Sequence, residues 1–343
     1  MSALSRIEWT DRTWNPVRGC SIVSPGCVNC YAMKFAHRFS GVGKPYEGLT
    51  KQTKAGPQWT GKIETVDSAL MDPLKWRKPQ RVFVNSMSDL FHEGVPFEFI
   101  DLVFAVMANA PQHTFQILTK RPARMLEYLT APMGVSLSRR VRVSTLAAQM
   151  CGEPSPEMAV RFWPLLNVWL GVSCEDQPRA DERIPLLLQT PAALRFISAE
   201  PLLGPLNLWP FVTCDLHRGR CRPGESCQGA GNIPCGRFPD WIIVGGESGP
   251  KARPCDVAWI RSIVEQCKAA SVPVFVKQLG SLAVVDEDWW RALPLTPLLG
   301  LTQSRRAPEG KVVLALNDSK GSDISESLVD LRVRQFPATE ARP

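Results

Sequence analysis

Trp241-Ile-Ile-Val-Gly-Gly-Glu247 is an unbroken apolar run that stops at two glycines and a carboxylate. Such a run suits a parallel strand covered on both faces, with its polar residues where strand gives way to loop. The pattern recurs at residues 81–86, 114–119, 167–172, 194–199 and 273–277, with a further first strand expected near residues 13–17. Helical spacing follows at 97–109, 121–129, 178–189 and 256–269, so strand and helix alternate in the βαβ manner. The series predicts an α/β fold: a complete or partial (β/α) TIM-like barrel with parallel strands and a small Cys-rich insertion.

In such a fold, functional groups gather in the loops at the carboxyl ends of the strands. The sequence puts its unusual polar residues there: Ser86, Ser88, Asp89 and His92, then Lys120 and Arg121, then Ser173, Glu175 and Asp176, then Glu200. Gly245, Gly246, Glu247 and Ser248 follow, and Lys277 with Gln278 closes the set. Two segments break the alternation, a helical excursion at 131–163 and a Cys-, Gly- and Arg-rich stretch at 211–238, and both read as insertions. Residues 1–280 are therefore expected to form the barrel, and 281–343 a C-terminal appendage.

The chain has 343 residues, 44% hydrophobic and 21% charged, which is a globular composition. No apolar window is long enough for a membrane span and the first residues lack a cleavable leader pattern, so a cytoplasmic protein without membrane contact is expected. The net charge is +7, and the excess is local: residues 1–62 carry nine Lys or Arg (Arg6, Arg12, Arg18, Lys34, Arg38, Lys44, Lys51, Lys54, Lys62) against three acids. A surface with that balance attracts anions, and a nucleic acid or nucleotide is the expected class. A solvated basic face is the simpler alternative. Trp9 and Trp14 are candidates for stacking on a base beside it, or for ordinary core positions.

Eleven cysteines in a chain expected to be cytosolic point to metal or redox chemistry rather than disulfides. Cys20, Cys27 and Cys30 have the spacing C-x6-C-x2-C, with glycine before the first two. Three thiolates on one loop can hold three irons of a [4Fe-4S] cluster and leave the fourth open, whereas structural zinc takes four ligands. His37 or a distant cysteine completing a zinc site is the alternative. Cys214, His217, Cys221, Cys227 and Cys235 form a second group in a segment too short for its own core, suited to zinc or an auxiliary cluster. Cys151, Cys174, Cys255 and Cys267 are scattered and read as buried, inert side chains.

The segment Trp14 to Ala32, with Asn85-Ser-Met-Ser-Asp-Leu-Phe-His92, Leu118-Thr-Lys-Arg-Pro122, Ser198-Ala-Glu-Pro-Leu-Leu-Gly-Pro205, Val244-Gly-Gly-Glu-Ser-Gly-Pro250 and Val276-Lys-Gln-Leu-Gly280, resembles a bacteriophage-associated three-cysteine-motif family of unknown function. That family in turn looks like a remote branch of the radical S-adenosylmethionine enzymes. The resemblance implies a cluster on Cys20, Cys27 and Cys30, with S-adenosylmethionine on its open iron and Ser88, Asp89, Gly245, Gly246 and Glu247 around the cofactor. It also implies an enzyme generating a 5′-deoxyadenosyl radical, with an electron donor such as a flavodoxin or ferredoxin. The chain departs from the usual radical-enzyme motif: the first gap is six residues rather than three, and Asn29 rather than an aromatic residue precedes the last cysteine.

Two rival classes make different expectations. A non-catalytic zinc protein binding nucleic acid would be colourless, and an iron-sulfur redox sensor would be coloured without using S-adenosylmethionine. Glu200 and Glu247 are either site carboxylates or structural partners of Lys120, Arg121 or Lys277. His92 and His113 read as structural histidines. The chain has no Walker loop, nucleophile elbow or complete dinucleotide fingerprint.

Overall fold

The computed structural model describes residues 3–5, 7–130, 139–152, 163–213, 238–249, 251–288, 300–302, 307–316, 318, 320–323 and 329–338. The chain divides into two compact units, Met1–Val172 with Gln189–Arg195, and Ser173–Leu188 with Phe196–Pro343.

In the first unit, β1 (Arg12–Trp14), β2 (Arg81–Val84), β3 (Thr114–Thr119) and β4 (Val168–Ser173) pair in parallel and in chain order. Val82, Val84, Phe115, Ile117 and Val172 are fully buried, as a sheet covered on both faces requires. β1 is shorter than the expected 13–17 because Asn15 and Pro16 leave the ladder, and proline has no amide to donate. β2 ends at Val84 rather than at residue 86 because Asn85 takes φ of 60°. α1 (Tyr31–Arg38) follows the cysteine loop, and α2 (Phe97–Ala108) and α3 (Pro122–Thr130) follow β2 and β3. α4 (Arg139–Cys151), from the expected insertion, packs on α2. There the fully buried Asp101 carboxylate takes Arg139 Nη1 at 3.1 Å, Arg142 Nε at 2.8 Å and the Tyr128 hydroxyl at 2.9 Å.

In the second unit, β5 (Leu194–Ala199), β6 (Trp241–Gly245) and β7 (Val274–Gln278) are again parallel and in chain order. α5 (Gln177–Gln189) precedes β5, and α6 (Val257–Ala269) precedes β7. Asp256 caps α6, its Oδ1 accepting the Ala258 amide at 2.9 Å. A second sheet joins Cys255–Asp256 to Ala283–Asp286, Lys311–Ala315 and Gly300–Thr302. Val333 O accepts from the Val276 amide at 2.8 Å, and the Trp241 indole donates to Gln335 O at 2.8 Å. The described residues beyond 280 that make these pairings thus belong to this unit.

Seven parallel strands in sequential order, four in one unit and three in the other, make this an α/β fold and the partial form of the expected (β/α) series. No described helix is long and apolar enough to cross a membrane.

Candidate functional site

The three-cysteine loop leaves the carboxyl end of β1 and is pinned to the segment leaving β2. Asn15 Oδ1 accepts from Ser86 Oγ at 3.1 Å and from the Met87 amide at 3.0 Å, while Ser88 Oγ donates to Val17 O at 2.8 Å. Gly19 bridges to Ser88 in parallel at φ of 88°, and a Cβ there would lie 2.1 Å from Lys62 O, so only glycine fits. Two motifs some seventy residues apart are therefore one structure.

Beyond Gly19 come Cys20, a single 3-10 turn at Pro25–Cys27, and Cys30 at the start of α1. All three cysteines are free and half-buried. Cys20 and Cys30 pack against Ala32, Met33, Ala36, Leu49, Trp59 and Met87. Burial pushes the Cys20 thiol up to about 12, reinforced by Asp89 and by the charges of Cys30 and Cys27, and opposed by Arg121. Burial also raises Cys30, against the amides of Met33 and Ala32. The thiols are close enough to feel one another's charge. Among the described residues no three His, Cys, Asp or Glu side chains converge as ligands of one metal ion. His37 turns elsewhere, its Nδ1 lying 3.0 Å from Thr50 Oγ1.

Beside the loop stands a network centred on Asp89, which is 5% exposed. Its Oδ1 accepts from Thr119 Oγ1 at 2.7 Å and the Phe91 amide at 3.0 Å; its Oδ2 accepts from the Lys120 amide and Arg121 Nη1, both at 3.1 Å. Four donors fill the capacity of a carboxylate, so Asp89 acts here by positioning Arg121. That guanidinium also donates through Nε to Glu93 at 3.0 Å and through Nη2 to Ser21 Oγ at 2.7 Å. Burial opposes its charge, but Asp89, Cys20 and Glu93 together hold its pKa above the ordinary value.

Ser21 Oγ also lies 2.9 Å from His92 Nε2, which looks like a nucleophile and its base. The tautomer says otherwise. His92 Nδ1 accepts the Gly94 amide at 3.0 Å, so in the neutral ring Nε2 carries the proton and donates to Ser21. Burial, with Arg121 second, lowers the His92 pKa and keeps the ring neutral. His92 is a structural histidine, as expected, but one that orders the residue next to Cys20.

The second unit holds the remaining strand-end residues. Glu200 Oε1 lies 3.0 Å from Lys277 Nζ, and its Oε2 accepts from Ser198 Oγ at 3.2 Å. This is one of the structural pairings weighed from the sequence. Glu247, 6% exposed, is clamped by Arg253, with Nη2 at 2.6 Å, Nε at 3.0 Å and the Arg253 amide at 2.9 Å. Gly246 donates its amide to Gln278 O at 3.1 Å, and a Cβ on it would lie 2.3 Å from Leu279 O. Its glycine character is accounted for by the chain's own backbone. Glu175 and Arg183 form a buried pair at 3.0 Å.

Trp9 and Trp14 are 2% and 0% exposed, so the stacking alternative fails and both are core. Cys174, Cys255 and Cys267 are buried as expected. The second cysteine group, Cys214, His217, Cys221, Cys227 and Cys235, lies outside the described residues. Ser21, Asn15 and Arg253 escaped the sequence reading. Asn15 and Ser21 sit inside the cysteine motif, and that was the available signal; Arg253 lies in a loop without periodicity.

Solved structures similar to this chain include spore photoproduct lyase variants. One, with bound AdoMet and dinucleoside spore photoproduct, is 9% identical with a TM-score of 0.38, covering 93% of this chain and 72% of that one. Two further variants are each 9% identical, with TM-scores of 0.34 and 0.32 and coverage of 91% and 92% of this chain and 71% of theirs. No curated protein matches the chain. The profile of one family, described as a protein of unknown function (DUF5131), matches residues 4–321, and the chain belongs to that family.

Proposed function

We propose that this chain is an iron-sulfur enzyme of the radical S-adenosylmethionine type, with Cys20, Cys27 and Cys30 as the cluster ligands. The observation that carries the reading is the position of the three thiols: one loop at the carboxyl end of the first parallel strand of an α/β fold, with their charges coupled. The donor set fits. Thiolates are the ligands of iron-sulfur clusters, and such a cluster spreads them over separate irons rather than gathering them on one ion. When bound, the [4Fe-4S] group supplies the electron that cleaves S-adenosylmethionine to a 5′-deoxyadenosyl radical.

The chain's own residues do the holding. Raised thiol pKa values mean that Cys20 and Cys30 stay protonated until a metal displaces the protons. Arg121, fixed by Asp89, places a cation by Cys20 that favours the thiolate. Asn85 Nδ2 is buried without a hydrogen-bond partner among the described residues, a donor suited to a cofactor carboxylate. Ser88 holds the loop through its bond to Val17 O.

The test is anaerobic reconstitution with iron and sulfide, with iron, sulfide and zinc quantified for wild type and for Cys20→Ala/Cys27→Ala/Cys30→Ala. Brown wild type with about four irons, absent from the variant, and 5′-deoxyadenosine formed from S-adenosylmethionine under a strong reductant would support the reading. Colourless wild type holding only zinc would end it, and iron without cofactor cleavage would leave a redox protein in its place.

A further inference from the structure

Among the described residues, eleven large hydrophobic side chains are exposed, and seven lie between residues 22 and 42. α1 explains the concentration. It buries Ala32, Met33 and Ala36 against the hairpin of Thr50–Thr53 and Gly56–Trp59, which uses up one face. Tyr31, Phe35 and the C-cap residue Phe39 follow one another at four-residue spacing along the stripe that adjoins this face, 56%, 45% and 42% exposed. The apolar arc of the helix is wider than the part that the hairpin covers. A contiguous outward patch of this kind marks an interaction site more often than a solvated surface.

The rings are also ordered. The Tyr31 hydroxyl donates to Ser86 O at 2.7 Å, which fixes the ring beside the end of β2. Phe35 and Phe39 stand with centroids 5.0 Å apart. Ile22, Val23 and Val28, in the loop that leads into α1, are exposed as well.

Charge identifies the occupant. Lys34 and Arg38 lie on α1, Lys44 in the turn after it, Lys51 and Lys54 on the hairpin, and Lys62 beyond; none of these six has an ion-pair partner among the described residues. The acid in the same stretch, Glu47, spends its Oε2 on the Gly43 amide. A row of ordered aromatic faces flanked by unneutralised cations is complementary to a chain of flat rings joined by phosphates.

We propose that the outward face of α1, with Tyr31, Phe35 and Phe39 as stacking rings and Lys34 and Arg38 as phosphate contacts, docks single-stranded nucleic acid. This deepens the enzyme reading by naming the polymer brought to the neighbouring loop. Docking itself needs no cluster, because the face contains none of the three thiols, so the two can fail separately.

The experiment uses the full chain without added iron or S-adenosylmethionine, and fluorescence anisotropy of a labelled 15-nucleotide DNA, its RNA counterpart and the matching duplex. Variants are Phe35→Ala/Phe39→Ala and Lys34→Gln/Arg38→Gln, each checked for native circular dichroism. Single strands are expected to bind more tightly than the duplex, and the aromatic variant to lose at least tenfold. The charge variant should flatten the slope of log K against log salt by about 1.4, the share of two phosphates on a single strand. Single-strand binding within twofold of wild type in the aromatic variant overturns the proposal. So does equal displacement by polyglutamate, which would mark an acidic protein partner, or a wild-type dimer that the aromatic variant abolishes, which would make this face a contact between copies.

Discussion

Arg121 Nη1 lies 3.1 Å from Asp89 Oδ2, with side-chain exposures of only 5% and 8%. Removing either charge leaves the other buried with a poorer counter-charge: Asp89 keeps only neutral donors, and Arg121 keeps only the exposed Glu93. Arg121→Met or Asp89→Asn should cost about 3–5 kcal/mol of unfolding free energy. The Arg81–Asp11 pair, at 2.8 Å but 32% and 42% exposed, is the comparison: Arg81→Met should cost no more than about 1 kcal/mol. Urea unfolding of the three variants measures the difference. Equal losses would mean that Asp89 and Arg121 are solvated in solution.

Mild acid should weaken the fold through two buried histidines. His113 is 1% exposed, with Nε2 3.3 Å from Pro73 O and Nδ1 without a partner among the described residues, so protonation would bury an unsatisfied donor. Burial lowers its pKa and that of His92 below 6.5. The unfolded chain then binds more protons between those depressed values and 6.5, so stability is full above that range and falls as pH drops through it. Denaturation midpoints between pH 5 and 7.5 should show the decline, and His113→Gln should make it shallower. A stability flat across the window would contradict the buried neutral rings.

Asn85 holds φ of 60° where β2 turns toward the cysteine loop, and its amide donates to Trp14 O at 2.7 Å. Asparagine tolerates the left-handed region; a β-branched residue does not. Asn85→Val should therefore lower stability by about 1–3 kcal/mol, and Asn85→Gly by less than about 1 kcal/mol. Thermal unfolding with iron absent separates this backbone effect from any effect on a bound group.

The parallel strands were legible because burial on both faces forces continuous apolar runs, and Leu194–Ala199 and Trp241–Gly245 match their expected limits. Limits moved where one residue's backbone overrode the pattern, at Pro16 and Asn85. That the three thiols share one loop was legible from their spacing. The Asp89 network was not, since Ser21 and Arg121 meet across 100 residues of chain. The outward stripe of α1 was hidden for another reason. Tyr31, Phe35 and Phe39 have the spacing of a core face, and the smaller Ala32, Met33 and Ala36 take that role instead.

Gly245 and Gly246 look equivalent in sequence, yet they should respond differently to the same methyl group. A Cβ on Gly246 would sit 2.3 Å from Leu279 O and 2.9 Å from Leu279 C and Cys255 Cβ, all held by the sheet and the neighbouring strand. Backbone cannot step aside without breaking the Gly246 amide bond to Gln278 O, so Gly246→Ala should cost at least the usual overpacking penalty of about 1–3 kcal/mol. On Gly245 the nearest atom would be Glu200 Oε1 at 3.0 Å, the end of a side chain that can rotate. That rotation would loosen the 3.0 Å pair with Lys277, so Gly245→Ala should be milder and should become milder still in a Glu200→Gln background. Urea unfolding of the two alanine variants and the double variant decides it. If Gly245→Ala proves as damaging as Gly246→Ala, and Glu200→Gln does not relieve it, the nearby Gln278 backbone rather than the carboxylate sets the limit at that position.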